Sequence, residues 1–172
     1  MTRPRILVFL HGTTIMHRGG LSVGREERVA QVRAGERSVG DFASYVPIGN
    51  APDTLRRWEA AGAELAYLSS HRAPADLAAD ESVVRRYGFP RGAVHHRRDA
   101  ETYADVVARV EPDVLIEDDC ESIGGAAEMV SPHLSPDLRS RITSVVVLEF
   151  GGIDGLPDRP DDLLGGKAEL RP

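Results

Sequence analysis

Cysteine and lysine are nearly missing from this chain of 172 residues, which carries one of each, Cys120 and Lys167. A lone cysteine excludes an internal disulfide. With the other basic residues all arginine, chemistry that needs a core lysine has almost nothing to run on. No run of about 18 apolar residues is present, and the N-terminus lacks the basic, apolar and small-residue succession of a signal peptide, so a cytoplasmic protein with no membrane partner is expected. The 27 acidic against 21 basic residues, a formal charge of −6, make a nucleic-acid partner unexpected. Internal repeats and low-complexity tracts are absent too, and the length suits one domain, residues 1–172, with an ordinary apolar core. One further absence matters for chemistry: no aspartate precedes Asp41.

What is present begins with RILVFLHGTT, Arg5–Thr14. Ile6 to Leu10 form an unbroken apolar run, the pattern of a strand covered on both faces, and it delivers His11 and a Gly-Thr-Thr loop to the strand's carboxyl end. In an open parallel sheet that end is where ligands sit, and Gly12 permits the sharp turn a close approach requires. Apolar runs near 5–10, 64–69, 93–96, 113–117 and 144–148 alternate with helical stretches near 52–62, 74–87, 99–110 and 122–130. This predicts an α/β fold with an open, doubly wound, mainly parallel five-stranded sheet. Residues 17–50 are too long for a simple crossover and read as an insertion after the first strand, a small cap with one amphipathic helix near 25–34. Residues 151–172, rich in Pro, Gly and Asp, read as an irregular tail.

Three strand ends gather the chemistry: HGTT after the first strand, SSHR at Ser69–Arg72 after the second, and EDD at Glu117–Asp119 after the fourth. Their order and spacing resemble the haloacid dehalogenase (HAD-like) superfamily over roughly residues 5–150. In that family a strand ending in DxDGT is followed by one ending in Ser or Thr and later by one ending in an acidic pair. The resemblance implies a Rossmann-type fold, with Gly12, Thr13 and Ser69 at the substrate's phosphoryl group and Asp118 and Asp119 as Mg²⁺ ligands. It further implies that the backbone carbonyl of His11 completes part of the metal cage.

The departures from that pattern bear on mechanism. Aligning Gly12-Thr13 with the family's Gly-Thr puts Phe9 where the aspartate nucleophile belongs and His11 where the second aspartate belongs. Phe can neither attack phosphorus nor ligate a metal, so a covalent aspartyl intermediate is excluded. The family's basic third motif has Arg97 or Arg98 as its candidates, and Ser70 and Arg72 extend the polar rim around a small anionic or phosphorylated ligand. His11, imidazole being the side chain most often used for proton transfer, becomes the candidate acid or base on a water molecule, with Asp118 as its metal-holding partner.

Each of these residues also has a plain structural reading. His11 can be a loop histidine bonded to backbone; Asp118 and Asp119, a cap for a helix starting near Ser122; Ser69 and Ser70, caps for the helix after Pro74. The cluster His95, His96, Arg97 and Arg98 can be solvated surface. Glu149 and Asp154 can belong to a turn or reach the site as further carboxylates. Cys120, beside three acids, reads as a packing residue rather than a nucleophile. Two functions follow: a Mg²⁺-assisted, phosphatase-like hydrolase, or a catalytically silent HAD-like module that binds a ligand or protein partner in the old pocket.

Overall fold

The computed structural model describes residues 3–164. In chain order it contains β1 (Arg5–Phe9), β2 (Ile15–Met16), α1 (Arg25–Arg33), β3 (Val46–Pro47), α2 (Ala51–Ala60), β4 (Glu64–Leu68), α3 (Pro74–Arg86), β5 (Val94–His95), α4 (Tyr103–Val110), β6 (Val114–Asp118), α5 (Pro136–Arg141) and β7 (Thr143–Val147). Five strands form one parallel sheet in the order β5-β4-β1-β6-β7. From β1 the chain steps outward to β4 and β5, then crosses to β6 and β7 on the other side. The reversal at β1 opens a crevice at the carboxyl ends of β4, β1 and β6, the position where such sheets bind ligands.

Both faces of the sheet are covered, which is why β1 is apolar at successive positions. Ile6, Val8 and Leu10 pack with Leu55 and Trp58 of α2 and with Val83 and Val84 of α3. Leu7 and Phe9 face the opposite way, toward Val106 and Val107 of α4 and toward Leu134 and Ile142. Each such side chain contributes about 1.5–3 kcal/mol when fully buried.

Local signals set the helix limits. Proline stands in the first turn of both α2 and α3, where its missing N–H costs nothing. Helix α4 starts at Tyr103 rather than at the expected residue 99, because Thr102 and Asp105 form a reciprocal capping box there. The helix expected over 122–130 does not form. Gly124 and Gly125 take φ of +145° and +73°, outside the helical region, and only a one-turn 3₁₀ segment, Gly125–Ala127, remains. Helix α5, capped by the Ser135 hydroxyl, was not expected.

The insertion holds α1 and three one-turn segments, Arg18–Gly20, Arg37–Gly40 and Phe42–Ser44, and β2 and β3 pair antiparallel at its base. Val29 packs there with Met16, Val46, Ile48 and Phe150. The segment after Gly151 is irregular but not loose where it is described. Ile153 and Leu163 enter the main core, and Trp58 Nε1 donates to the Pro157 carbonyl at 2.9 Å. The tail expected over 151–172 lies in part, 165–172, outside the described residues. Among the described residues no helix is long and apolar enough to cross a membrane.

Candidate active site

The loop leaving β1 wraps tightly against the end of β6. Gly12 has φ +80°, and a Cβ there would lie 2.9 Å from an Asp118 carboxylate oxygen and 3.2 Å from Glu149 Cγ. Only glycine allows this turn and this approach together. Thr13, fully buried, donates its hydroxyl to Asp118 Oδ2 at 2.8 Å, and the Cys120 N–H donates to Asp118 Oδ1 at 2.9 Å. The Glu149 N–H donates to Asp119 Oδ1 at 3.0 Å, and Glu149 in turn accepts the N–H and hydroxyl of Ser122 at 2.6 Å each.

Three carboxylates thereby converge, with one oxygen each from Asp118, Asp119 and Glu149 within 4.8 Å of one another. Burial pushes the Asp118 carboxyl up to about 6, against the hydrogen bonds from Thr13 and Cys120 and with the charges of Glu149 and Asp119 adding to the rise. An all-oxygen donor set that strains against its own charge suits a hard divalent cation such as Mg²⁺. Glu117 takes no part. Its carboxylate accepts the N–H groups of Val130 and Ser131 at 2.6 and 2.8 Å and holds the loop after β6 in place.

A second polar cluster forms on the β4 side around Asp80 of α3, which is fully buried. Asp80 Oδ1 meets His11 Nε2 at 2.9 Å, while Oδ2 accepts the Ser69 hydroxyl at 2.5 Å and meets His71 Nδ1 at 3.0 Å. Ser70 completes the array, its hydroxyl 2.8 Å from His11 Nδ1. Burial works against the charge on Asp80, yet its hydrogen bonds to His11, His71 and Ser69 prevail and hold it below the usual carboxylate range. For His71 burial again opposes charge, and the bond to Asp80 outweighs it and raises the pKa.

Between the clusters lies a pocket of about 200 Å³, reached by His11, Gly12, Ser70, Asp118, Cys120 and Glu149 and walled by Phe9, Tyr45, Tyr103 and Phe150. Val32, Val39 and Tyr45 come from the insertion, so that segment does border the site. Phe9 lies edge-on to Tyr103 with ring centroids 5.2 Å apart. Burial, followed by the charges of Asp118, Glu117 and Glu149, drives the Cys120 thiol far above its ordinary range.

Several expected residues fall elsewhere. The His11 side chain bonds Asp80 and Ser70 and so belongs to that cluster, while the metal role expected of His11 concerns its backbone carbonyl and not these bonds. Ser69 is wholly buried against Asp80, leaving Ser70 as the serine of this pair at the pocket. Neither serine caps α3, whose N-cap is Ala73. Arg72 points outward and donates to the Asp99 carbonyl at 2.7 Å. Arg98 is exposed, whereas Arg97 stacks over Tyr103, its guanidinium carbon 4.1 Å from the ring centroid. The buried Nε of Arg97 finds no acceptor among the described residues. Asp154 accepts the Asn50 N–H and ties down the end of the insertion instead of reaching the pocket.

The sequence reading missed Asp80 altogether. A signal existed: Asp80 lies three and four residues before Val83 and Val84, which puts an acid on the inward face of α3, where a buried charge requires partners.

No protein-family model matches the chain, and no curated protein sequence does. Solved structures are more informative. A class C acid phosphatase from Bacillus anthracis with tungstate bound aligns over 88% of this chain and 69% of that one, with a TM-score of 0.51 and 14% identity. A HAD family hydrolase from Deinococcus radiodurans R1 with bound phosphate and sodium aligns over 86% of this chain and 91% of that one, with a TM-score of 0.44 and 14% identity. The likeness to the acid phosphatase is one of architecture, and with the all-parallel sheet it defines a HAD-like, Rossmann-type α/β fold.

Proposed function

We propose that this protein is a metal-assisted hydrolase of a small phosphorylated or otherwise anionic substrate, working without an aspartyl intermediate. The observation that carries the reading is the convergence of Asp118, Asp119 and Glu149 within 4.8 Å at the edge of a pocket whose other wall carries His11 and Ser70. The three carboxylates would hold Mg²⁺, which when bound offsets their charge toward an anion and polarises the scissile group. Thr13 orients Asp118, Gly12 lets the loop lie against it, and His11, seated on Asp80, accepts the proton of the attacking group. Arg97, whose Nε finds no acceptor among the described residues, stacks on Tyr103 of the pocket wall and is the candidate cation for the substrate's charge.

A binding-only module is favoured by Phe9, which packs on Tyr103 at the pocket and, on the family resemblance, stands where the nucleophile is expected. Turnover decides between the two. The purified protein is assayed on phosphate esters and nucleotides with Mg²⁺ or chelator, beside Asp118→Asn and His11→Ala. Metal-dependent hydrolysis that is lost in both variants is the expected result; no turnover, or turnover indifferent to both changes, leaves the binding module.

A further inference from the structure

We propose that Ser70 is the nucleophile of this pocket, that His11 takes its proton at Nδ1, and that Asp80 is a positioning residue holding His11 from behind. This deepens the hydrolase reading and rests on it for the phosphorylated substrate alone.

Elementary hydrogen-bond chemistry assigns the proton positions. An ionised carboxylate only accepts, so the 2.9 Å contact of His11 Nε2 with Asp80 Oδ1 places the ring proton on Nε2. Nδ1 then carries a lone pair, and two hydrogens of Ser70 meet it, the hydroxyl at 2.8 Å and the backbone N–H at 3.4 Å. A backbone N–H directed at Nδ1 is compatible with an unprotonated nitrogen and clashes with a protonated one. The Ser70 hydroxyl therefore donates to His11 and keeps its oxygen lone pairs for an electrophile. Serine, imidazole and buried aspartate are linked as in a serine-hydrolase triad, with the two ring nitrogens exchanged.

Three other hydroxyl or thiol groups near the pocket are less suited to attack. The Thr13 hydroxyl is buried and donates to Asp118. The Ser122 hydroxyl and N–H are both bound to Glu149, one of the three converging carboxylates. The Cys120 sulfur lies among acids, and Phe9 has no heteroatom. Asp80 is restrained by His71 and Ser69 as well as by His11, so its carboxylate cannot swing away from the imidazole.

In the first step Ser70 Oγ bonds to phosphorus as the ester P–O bond breaks, and the serine proton passes through His11 Nδ1 to the leaving alkoxide. Water then attacks the phosphoserine and gives a proton to Nδ1. The Ser70–phosphorus bond breaks, Ser70 recovers that proton, and inorganic phosphate departs. Asp80 stays ionised throughout.

The test uses diisopropyl fluorophosphate on the whole chain in chelator, read by intact mass and peptide mapping. The P–F bond breaks, an Oγ–P bond forms, and fluoride leaves with the serine proton. One diisopropylphosphoryl group on Ser70 is expected, absent from Ser70→Ala and formed about a hundredfold more slowly in His11→Gln. For Asp80, ¹⁵N ring shifts should show His11 protonated at Nε2 alone in the wild type and tautomerically mixed in Asp80→Asn, a change that a merely structural role would not produce. No adduct on Ser70, or a rate in folded His11→Gln within about threefold of wild type, overturns the proposal. Because the labelled position is read in the wild type, the outcome stands even if a variant misfolds. Metal-dependent turnover that survives in Ser70→Ala also overturns it while sparing the hydrolase reading, whereas that reading fails separately if no Mg²⁺-dependent turnover is found without the probe.

Discussion

His11 Nε2 and Asp80 Oδ1 meet at 2.9 Å although 69 positions separate them in the chain. The contact ties the loop after β1 to the middle of α3, and His71, tilted against both the His11 and Phe42 rings, closes the cluster from the β4 side. One buried carboxylate thus organises two histidines and two serines, and its behaviour with pH is open to measurement.

The His71 pKa is raised, since the Asp80 bond and charge overcome the burial that opposes them. A folded value above the unfolded 6.5 means that His71 contributes stability fully below pH 6.5 and loses it as the pH climbs through the folded value. Asp80, held below its ordinary 3.8, contributes above that pH and loses its contribution as acid titrates it. Urea unfolding from about pH 3 to about pH 9 should therefore show a decline on both limbs. His71→Gln should flatten the limb above pH 6.5 and leave the acid limb largely in place; an alkaline decline unchanged in the variant contradicts the assignment.

Gly12→Ala places a methyl 2.9 Å from an Asp118 carboxylate oxygen and forces a non-glycine residue to φ +80°. Strain of this kind costs roughly 1–3 kcal/mol. The melting temperature should fall, and any Mg²⁺-induced stabilisation should weaken, because the displaced atom belongs to Asp118. A variant as stable as wild type, with the same metal response, would show that the loop relaxes freely.

Glu117 and Asp118 are neighbours with separable duties. Glu117→Gln replaces the charged acceptor of the Val130 and Ser131 N–H groups and should cost about 2 kcal/mol in chemical unfolding while leaving the Mg²⁺ response intact. Asp118→Asn should do the reverse. Without metal it relieves a buried charge and leaves stability equal or higher, and it abolishes a Mg²⁺ gain of about 2.7 kcal/mol at a hundred times the dissociation constant. Thermal shifts with and without Mg²⁺ separate the two, and equal responses in both variants would remove Asp118 from the metal site.

The sheet was legible because its strands are covered on both faces, which demands continuous apolar runs at Ile6–Leu10 and Val114–Ile116. The strand-end positions of Gly12, Thr13 and Asp118 followed from that order. Residues 122–130 misled because their composition tolerates a helix, whereas the Gly124-Gly125 pair takes positive φ and the loop that follows is held by Glu117. Arg72 and Arg98 misled because strand-end proximity does not say which way a long side chain turns.

By itself, then, the sequence determined the alternation of strands and helices, the sharp loop at Gly12, and the absence of any aspartate before Asp41. Those are matters of period, backbone freedom and residue chemistry, all local. The tertiary structure alone decided that Asp80 reaches His11, that Ser70 and not Ser69 faces the pocket, and that Glu149 joins Asp118 and Asp119. These depend on how α3 is rotated on the sheet and where the chain returns after β7. Packing sets both, because a buried charge must find its partners wherever the folded chain brings them.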